Sequence, residues 1–244
     1  MKLVPCASCP LRKLSLFLPQ AQGELALIES LKRDQVMVRA DASIIHEGQT
    51  NAPLYTLLSG WAFRFKTLSD GRRQILNFLL PGDFIGVQQK MADASAHGVQ
   101  ALTDVMLCVF QRDALWELHR SAPQLGFSVT WLTAHEESVV DDALLSVGRR
   151  SAEERIATLL ILLYKRAAAL EPEGSADVPF PLTQQHIADA LGLSLVHTNK
   201  TLRKLERGGL HRVADGRLQL FDLKSLVRLA DLYGDGRPEP RPLI

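Results

Sequence analysis

The segment 183–208 constrains the chain most. Thr183 can cap a helix over 184–191 by accepting one of its unpaired N–H groups, and Gly192 then supplies a turn that only a residue without a Cβ makes at low cost. Ser194 can cap a second helix running to about Gly208. Two short helices joined by so tight a turn form the helix-turn-helix geometry. Ile187, Leu191, Leu193, Leu202 and Leu205 would form its small core, and Ala188 lets the helices approach closely.

The second helix divides by face. His197, Lys200, Arg203, Lys204 and Arg207 recur at three- and four-residue steps on one side, with Thr198, Leu202 and Leu205 on another. Between Lys200 and Arg217 six basic residues face only Glu206 and Asp215, in a chain whose 28 Lys and Arg and 27 Asp and Glu otherwise balance. A solvated face is the ordinary reading of a lone charged helix. On the second helix of this motif, the basic stripe reads instead as a surface for duplex DNA. Val196, His197, Asn199 and Lys200 stand at the front as candidate base readers: Asn suits adenine, Lys guanine, and Val a thymine methyl. Thr183, Ser194, Arg203, Lys204, Arg207, Arg212 and Arg217 are the candidate phosphate contacts, the last two on a hairpin turning at Asp215-Gly216 that would be the wing of a winged helix.

Upstream the pattern is different. Over 34–111, strand-like runs such as Leu54-Tyr55-Thr56-Leu57-Leu58 and Gln74-Ile75-Leu76-Asn77-Phe78 alternate with Ser59-Gly60, Ser69-Asp70-Gly71 and Pro81-Gly82-Asp83, predicting a small sandwich or barrel closed by a strand over 105–110. Over 122–146, Val129, Leu132, Glu136, Val139, Ala143 and Ser146 fall on one stripe of a long helix. The pattern leaves two readings open: a helix packed on its own β domain, or a two-helix dimer seam through Val129, Leu132, Val139 and Ala143. Gly148-Arg149-Arg150 breaks the helix, Ser151 and Glu154 form a capping box for the next, and 171–180 reads as a loop. The fold class is therefore α+β, with domains over 1–111, 112–148 and 149–244.

Charges interrupt every apolar run before it reaches the roughly 20 residues a bilayer requires, and the start of the sequence has no signal-peptide core, so a cytoplasmic protein is expected. Three cysteines in a reducing compartment are no disulfide framework. Catalysis finds no support: Cys6-Ala7-Ser8-Cys9 precedes no βαβ pattern, as a thiol oxidoreductase would require, and no nucleophile–base pair is evident.

Taken in order, Ser59-Gly60-Trp61, Pro81-Gly82-Asp83-Phe84-Ile85-Gly86, Ser151-Ala152-Glu153-Glu154-Arg155-Ile156-Ala157 and the segment 183–202 resemble the Crp/Fnr family of bacterial regulators over nearly the whole chain. The resemblance implies an N-terminal β-roll sensor of the cyclic-nucleotide-binding type, a long helix that pairs two copies into a homodimer, and a C-terminal winged helix. It implies transcription control on a palindromic operator, with RNA polymerase as a partner, and it favours the dimer-seam reading. The family's best-known members carry Glu where Val196 stands and Arg where Lys200 stands, so their half-site is not carried over.

The signal is less legible. A cyclic-nucleotide pocket in this family needs a Glu soon after the Gly-Asp-Phe-Ile-Gly run and an Arg beyond it. Val87 and Gln88 follow Gly86 and 91–99 holds no Arg, so cAMP is not expected. Cys6, Cys9 and Cys108 are similar to the arrangement of oxygen-sensing Fnr proteins, where cysteines hold a [4Fe–4S] cluster, although four thiolates are usual and Ser15 stands where another is expected. Three readings stay open: iron–sulfur ligands, a thiol switch or other metal site, and cysteines without a sensing role in a roll that binds a small-molecule effector.

Overall fold

A computed structural model describes residues 4–88, 94–232 and 240–244. Two short helical turns, Cys6–Ser8 and Pro10–Lys13, precede helix α1 (Gln22–Leu31). Eight strands follow: β1 (Lys32–Val38), β2 (Ser43–Ile45), β3 (Leu54–Ser59), β4 (Ala62–Thr67), β5 (Arg73–Leu79), β6 (Phe84–Ile85), β7 (Gly98–Ala101) and β8 (Val105–Phe110). Helices α2 (Ala114–Ser121), α3 (Pro123–Arg149) and α4 (Ala152–Ala168) come next. The chain then forms β9 (Val178–Pro179), α5 (Gln184–Leu191), α6 (Leu195–Arg207), β10 (His211–Ala214), β11 (Arg217–Leu220) and α7 (Leu223–Leu229). It divides into two compact units, one of Met1–Lys66, Phe78–Ser138 and Glu239–Ile244, the other of Thr67–Asn77 and Val139–Pro238.

The strands form two antiparallel sheets, in the orders β1-β8-β3-β6 and β2-β7-β4-β5. The strand expected over 105–110 is β8, which lies between β1 and β3 rather than at an edge. Alternate residues of these strands, among them Ile45, Leu57, Ala62, Val99 and Leu107, point inward and form one core. A second core lies outside β3 and β8, where Ile28 of α1, Leu118 of α2 and Leu125 of α3 pack on Leu54, Phe84 and Phe110.

Two of the four residues read as a dimer seam lie in this second core. Val129 and Leu132 are 4% and 6% exposed in the single chain and belong to the core of their own β-roll. The three-and-four spacing reports that self-packing, while Val139 and Ala143 are only half-buried. The exposed apolar residues of α3 lie off the stripe: Phe127, Val140, Leu144 and Leu145. Gly148, read as a breaker, sits inside α3, which extends to Arg149, because a single glycine costs a helix only about 1 kcal/mol.

In the second unit the caps hold as read. Ser151 Oγ accepts from Glu154 N–H at 3.4 Å and Glu154 Oε2 accepts from Ser151 N–H at 2.6 Å, which starts α4. Ala157 and Ile161 of α4 meet Leu226 and Ala230, in and just after α7, in a fully buried cluster. The loop over 171–180 contains β9, which pairs with β11 to widen the hairpin into a three-stranded sheet ordered β10-β11-β9. Residues 240–244, counted by sequence with the C-terminal domain, pack on the β-roll instead.

Candidate functional site

Thr183 Oγ1 accepts from His186 N–H at 3.2 Å, and His186 Nδ1 accepts from Thr183 N–H at 3.2 Å, so the cap of α5 is reciprocal. Gly192 ends that helix at φ 63°, in the left-handed region, and Ser194 Oγ accepts from His197 N–H at 3.2 Å to start α6. The buried face of α6 carries Thr198, Thr201, Leu202 and Leu205. Its other face presents His197, Lys200, Arg203, Lys204 and Arg207 to solvent.

At the front of α6, Val196 is 79% exposed, His197 and Lys200 are exposed, and Asn199 Nδ2 donates to Gln184 Oε1 at 2.7 Å. Ser194 and Thr183 are exposed at the two helix starts, where unpaired N–H groups and the helix dipole favour an anion. Two candidate phosphate contacts are already engaged. Lys204 pairs with Glu153, and Arg217 pairs with Asp177 at 2.7 Å and Glu171 at 3.7 Å. Arg212 is exposed on β10, and the hairpin turns at Asp215 and Gly216 with φ 52° and 69°, both positive as a tight hairpin turn requires. His211 adds no charge, because burial pushes its pKa down and keeps the ring neutral.

Sequence reasoning missed the residues that set α5 in place. Arg155 of α4 donates Nη1 to Leu191 O at 2.9 Å and Nε to Arg150 O at 2.8 Å, tying the end of the first motif helix to α4. Gln74 Nε2 donates to Ala190 O at 2.9 Å. A long polar side chain that reaches a distant carbonyl leaves no periodic trace; for Arg155, its place after the capping box is the only cue.

The three cysteines do come together. Cys6, Cys9 and Cys108 line one small cavity with Lys32, Gln35 and Leu243. Gln35 Nε2 lies 3.4 Å from Cys108 Sγ and Lys32 Nζ 3.6 Å from Cys6 Sγ. Burial, reinforced by the Glu29 carboxylate, pushes the Cys6 thiol up to about 11, and burial likewise raises Cys108. An iron–sulfur cluster requires thiolates and space. This cavity measures about 20 Å³, room for about one water molecule. Among the described residues no group of three His, Cys, Asp or Glu is placed to hold a metal ion. The thiols as arranged here do not fit a cluster. Of the segment read for a cyclic-nucleotide arginine, 91–93 lie outside the described residues. Arg64, in the β-roll, is committed to an ion pair with Glu136 at 3.2 Å.

A β-roll and a capped helix pair with an exposed basic face define a DNA-binding transcription regulator, and known proteins agree. Residues 35–122 match the family model of the cyclic nucleotide-binding domain and 154–229 that of the Crp-like helix-turn-helix domain. The transcriptional activator protein FnrL of Cereibacter sphaeroides is 32% identical over 94% of this chain and 92% of its own. The nitrogen fixation regulation protein FixK of Bradyrhizobium diazoefficiens is 32% identical over 92% and 93%. The solved structure of FixK2 from Bradyrhizobium japonicum superposes with a TM-score of 0.73 at 26% identity, covering 82% of this chain and 98% of that one. The chain belongs to the Crp/Fnr family. Its relatives are regulators of transcription, so the thiol oxidoreductase reading falls and the protein is not an enzyme. Among the described residues no helix is long and apolar enough to cross a membrane.

Proposed function

We propose that the protein acts in the cytoplasm as a homodimer that reads a palindromic operator through α6 and answers a signal received by the β-roll. The observation that carries this reading is the division of α6, whose buried threonines and leucines oppose an exposed row of five basic or imidazole side chains. Val196, His197, Asn199 and Lys200 are the proposed base readers. Thr183, Ser194, Arg203, Lys204, Arg207 and Arg212 contact phosphates, with Arg217 secondary because two carboxylates already hold it. Lys204 can exchange Glu153 for a phosphate, since an exposed ion pair is worth only about 0–1 kcal/mol.

In this reading 1–111 together with 240–244 form the sensor, 112–148 carry the dimer contact, and the winged helix follows from 149. The dimer contact uses the exposed side chains Phe127, Val140, Leu144 and Leu145. Likeness to relatives named as transcriptional activators supports activation through RNA polymerase. The signal is received in the β-roll, where Cys6, Cys9 and Cys108 line one cavity. The test is selection of operator sequences from random duplexes with the purified protein. A two-fold symmetric site with half-sites one helical turn apart is expected. Selection of an asymmetric site, or of none, overturns the reading.

A further inference from the structure

Residues 240–244 carry no helix or strand, yet Arg241, Pro242, Leu243 and Ile244 are all buried in the first unit. A segment without secondary structure that buries four consecutive side chains has a groove made for it. Arg241 Nη1 meets the buried carboxylate of Asp83, Nη2 donates to Pro81 O at 3.1 Å, and the guanidinium lies 5.3 Å from the centre of the Phe17 ring. Its backbone joins 16–18 as a short bridge, with Arg241 N–H to Leu16 O at 2.8 Å and Leu18 N–H to Arg241 O at 2.9 Å. Further along, Gln20 Nε2 donates to Leu243 O at 2.8 Å and Thr56 Oγ1 to Ile244 O at 2.6 Å. Gly82 makes room, because a Cβ there would stand 2.3 Å from Phe17 Cζ.

This segment forms part of the wall of the thiol cavity. Leu243 and Ile244 line it directly beside Cys6, Cys9 and Cys108, and Ile244 shares an apolar cluster with Cys6. Pro240 and Pro242 bracket Arg241 and hold it extended before docking, which lowers the entropy cost of docking. The attachment is nevertheless short, a few hydrogen bonds and four side chains. A segment of this kind opens at a lower free energy than the whole unit unfolds.

We propose that 240–244 is a built-in ligand of the β-roll and that its docking gates access to the buried Cys6 thiol. The groove takes a short extended peptide that places an arginine two residues before a pair of branched apolar side chains. Undocked, the segment opens the cavity to any reagent the cell supplies; docked, it covers Cys6, while Cys9 and Cys108 stay partly exposed. The proposal concerns access alone and does not depend on the thiols carrying the signal.

The experiment is site-resolved alkylation of the 244-residue chain with iodoacetamide, read by mass spectrometry. Deletion of 240–244 is expected to accelerate labelling of Cys6 by about tenfold or more, in proportion to the open population. Addition of the peptide Pro-Arg-Pro-Leu-Ile to the deletion variant is expected to restore slow labelling, and Asp83→Asn in that variant to abolish the peptide's effect. Should the deletion not fold, Ile244→Ala and Arg241→Ala are expected to accelerate labelling in a protein that still binds duplex DNA. Equal labelling rates in wild type and folded variants, or a peptide without effect on a folded deletion variant, overturn the proposal.

Discussion

Arg73 grips Asp189 with two nitrogens on one oxygen: Nε and Nη2 both donate to Oδ2, at 3.0 and 2.9 Å. The other oxygen of Asp189 accepts from Gln185 at 2.6 Å, so both oxygens of this α5 carboxylate are engaged. Both partners are largely shielded from solvent, so removing one of them leaves the charge of the other poorly compensated. Asp189→Ala is expected to destabilise the unit containing α5 by about 1–3 kcal/mol in urea titration, since it takes that carboxylate away from Arg73. Arg73→Ala should cost a similar amount and the double variant less than the sum. Strict additivity would show that the two side chains do not interact.

Removal of Arg203 or Arg207 is expected to weaken binding to all duplexes alike and to lower the salt slope of binding by roughly one unit for each phosphate that is no longer neutralised. Lys200→Ala should differ in kind, reducing discrimination at one base pair by about 1–3 kcal/mol. Gel-shift titrations on matched and mismatched duplexes at several salt concentrations separate the two. A uniform effect of Lys200→Ala across sequences would move it to the phosphate contacts.

Leu144 is 70% exposed on α3, whereas Leu132 lies in the core of its own β-roll. Leu144→Glu is therefore expected to yield a folded monomer in sedimentation. Leu132→Ala should cost about 2–5 kcal/mol of stability and leave the association state unchanged. A dimeric Leu144→Glu variant would place the subunit contact elsewhere.

His97 is buried, and desolvation, with Arg64 and Lys66 adding repulsion, lowers its pKa from 6.5 to about 4. The native state thus holds the ring neutral where the unfolded chain would protonate it. The resulting stability is fully present above pH 6.5 and is lost as pH falls toward 4, at about 1.4 kcal/mol per unit and about 3 kcal/mol in total. Denaturant titrations from pH 7 to pH 4 should show a shallower decline for His97→Gln than for wild type. Parallel declines would mean that His97 titrates normally.

What the sequence determined by itself was local. Thr183, Gly192, Ser194, Ser151 with Glu154, and Asp215-Gly216 each satisfy a backbone requirement within a few residues, so their helix starts and turns are legible from residue type and spacing alone. The basic face of α6 was legible for the same reason, since helical periodicity sorts side chains whatever the helix packs against.

Tertiary structure alone decided what those faces meet. The stripe through Val129 and Leu132 has one spacing whether its partner is a second copy or its own β-roll, and only the position of Leu54, Phe84 and Phe110 chooses between them. No periodicity announces that Arg241 will find Asp83, 158 positions away, or that Ile244 will line a cavity with Cys6 and Cys108. Such contacts form because loop closure costs grow only slowly with chain length, so distant residues pair wherever burial and charge complementarity repay the ordering. Spacing in the sequence records which face a side chain occupies; the partner of that face is set by the fold that brings the two together.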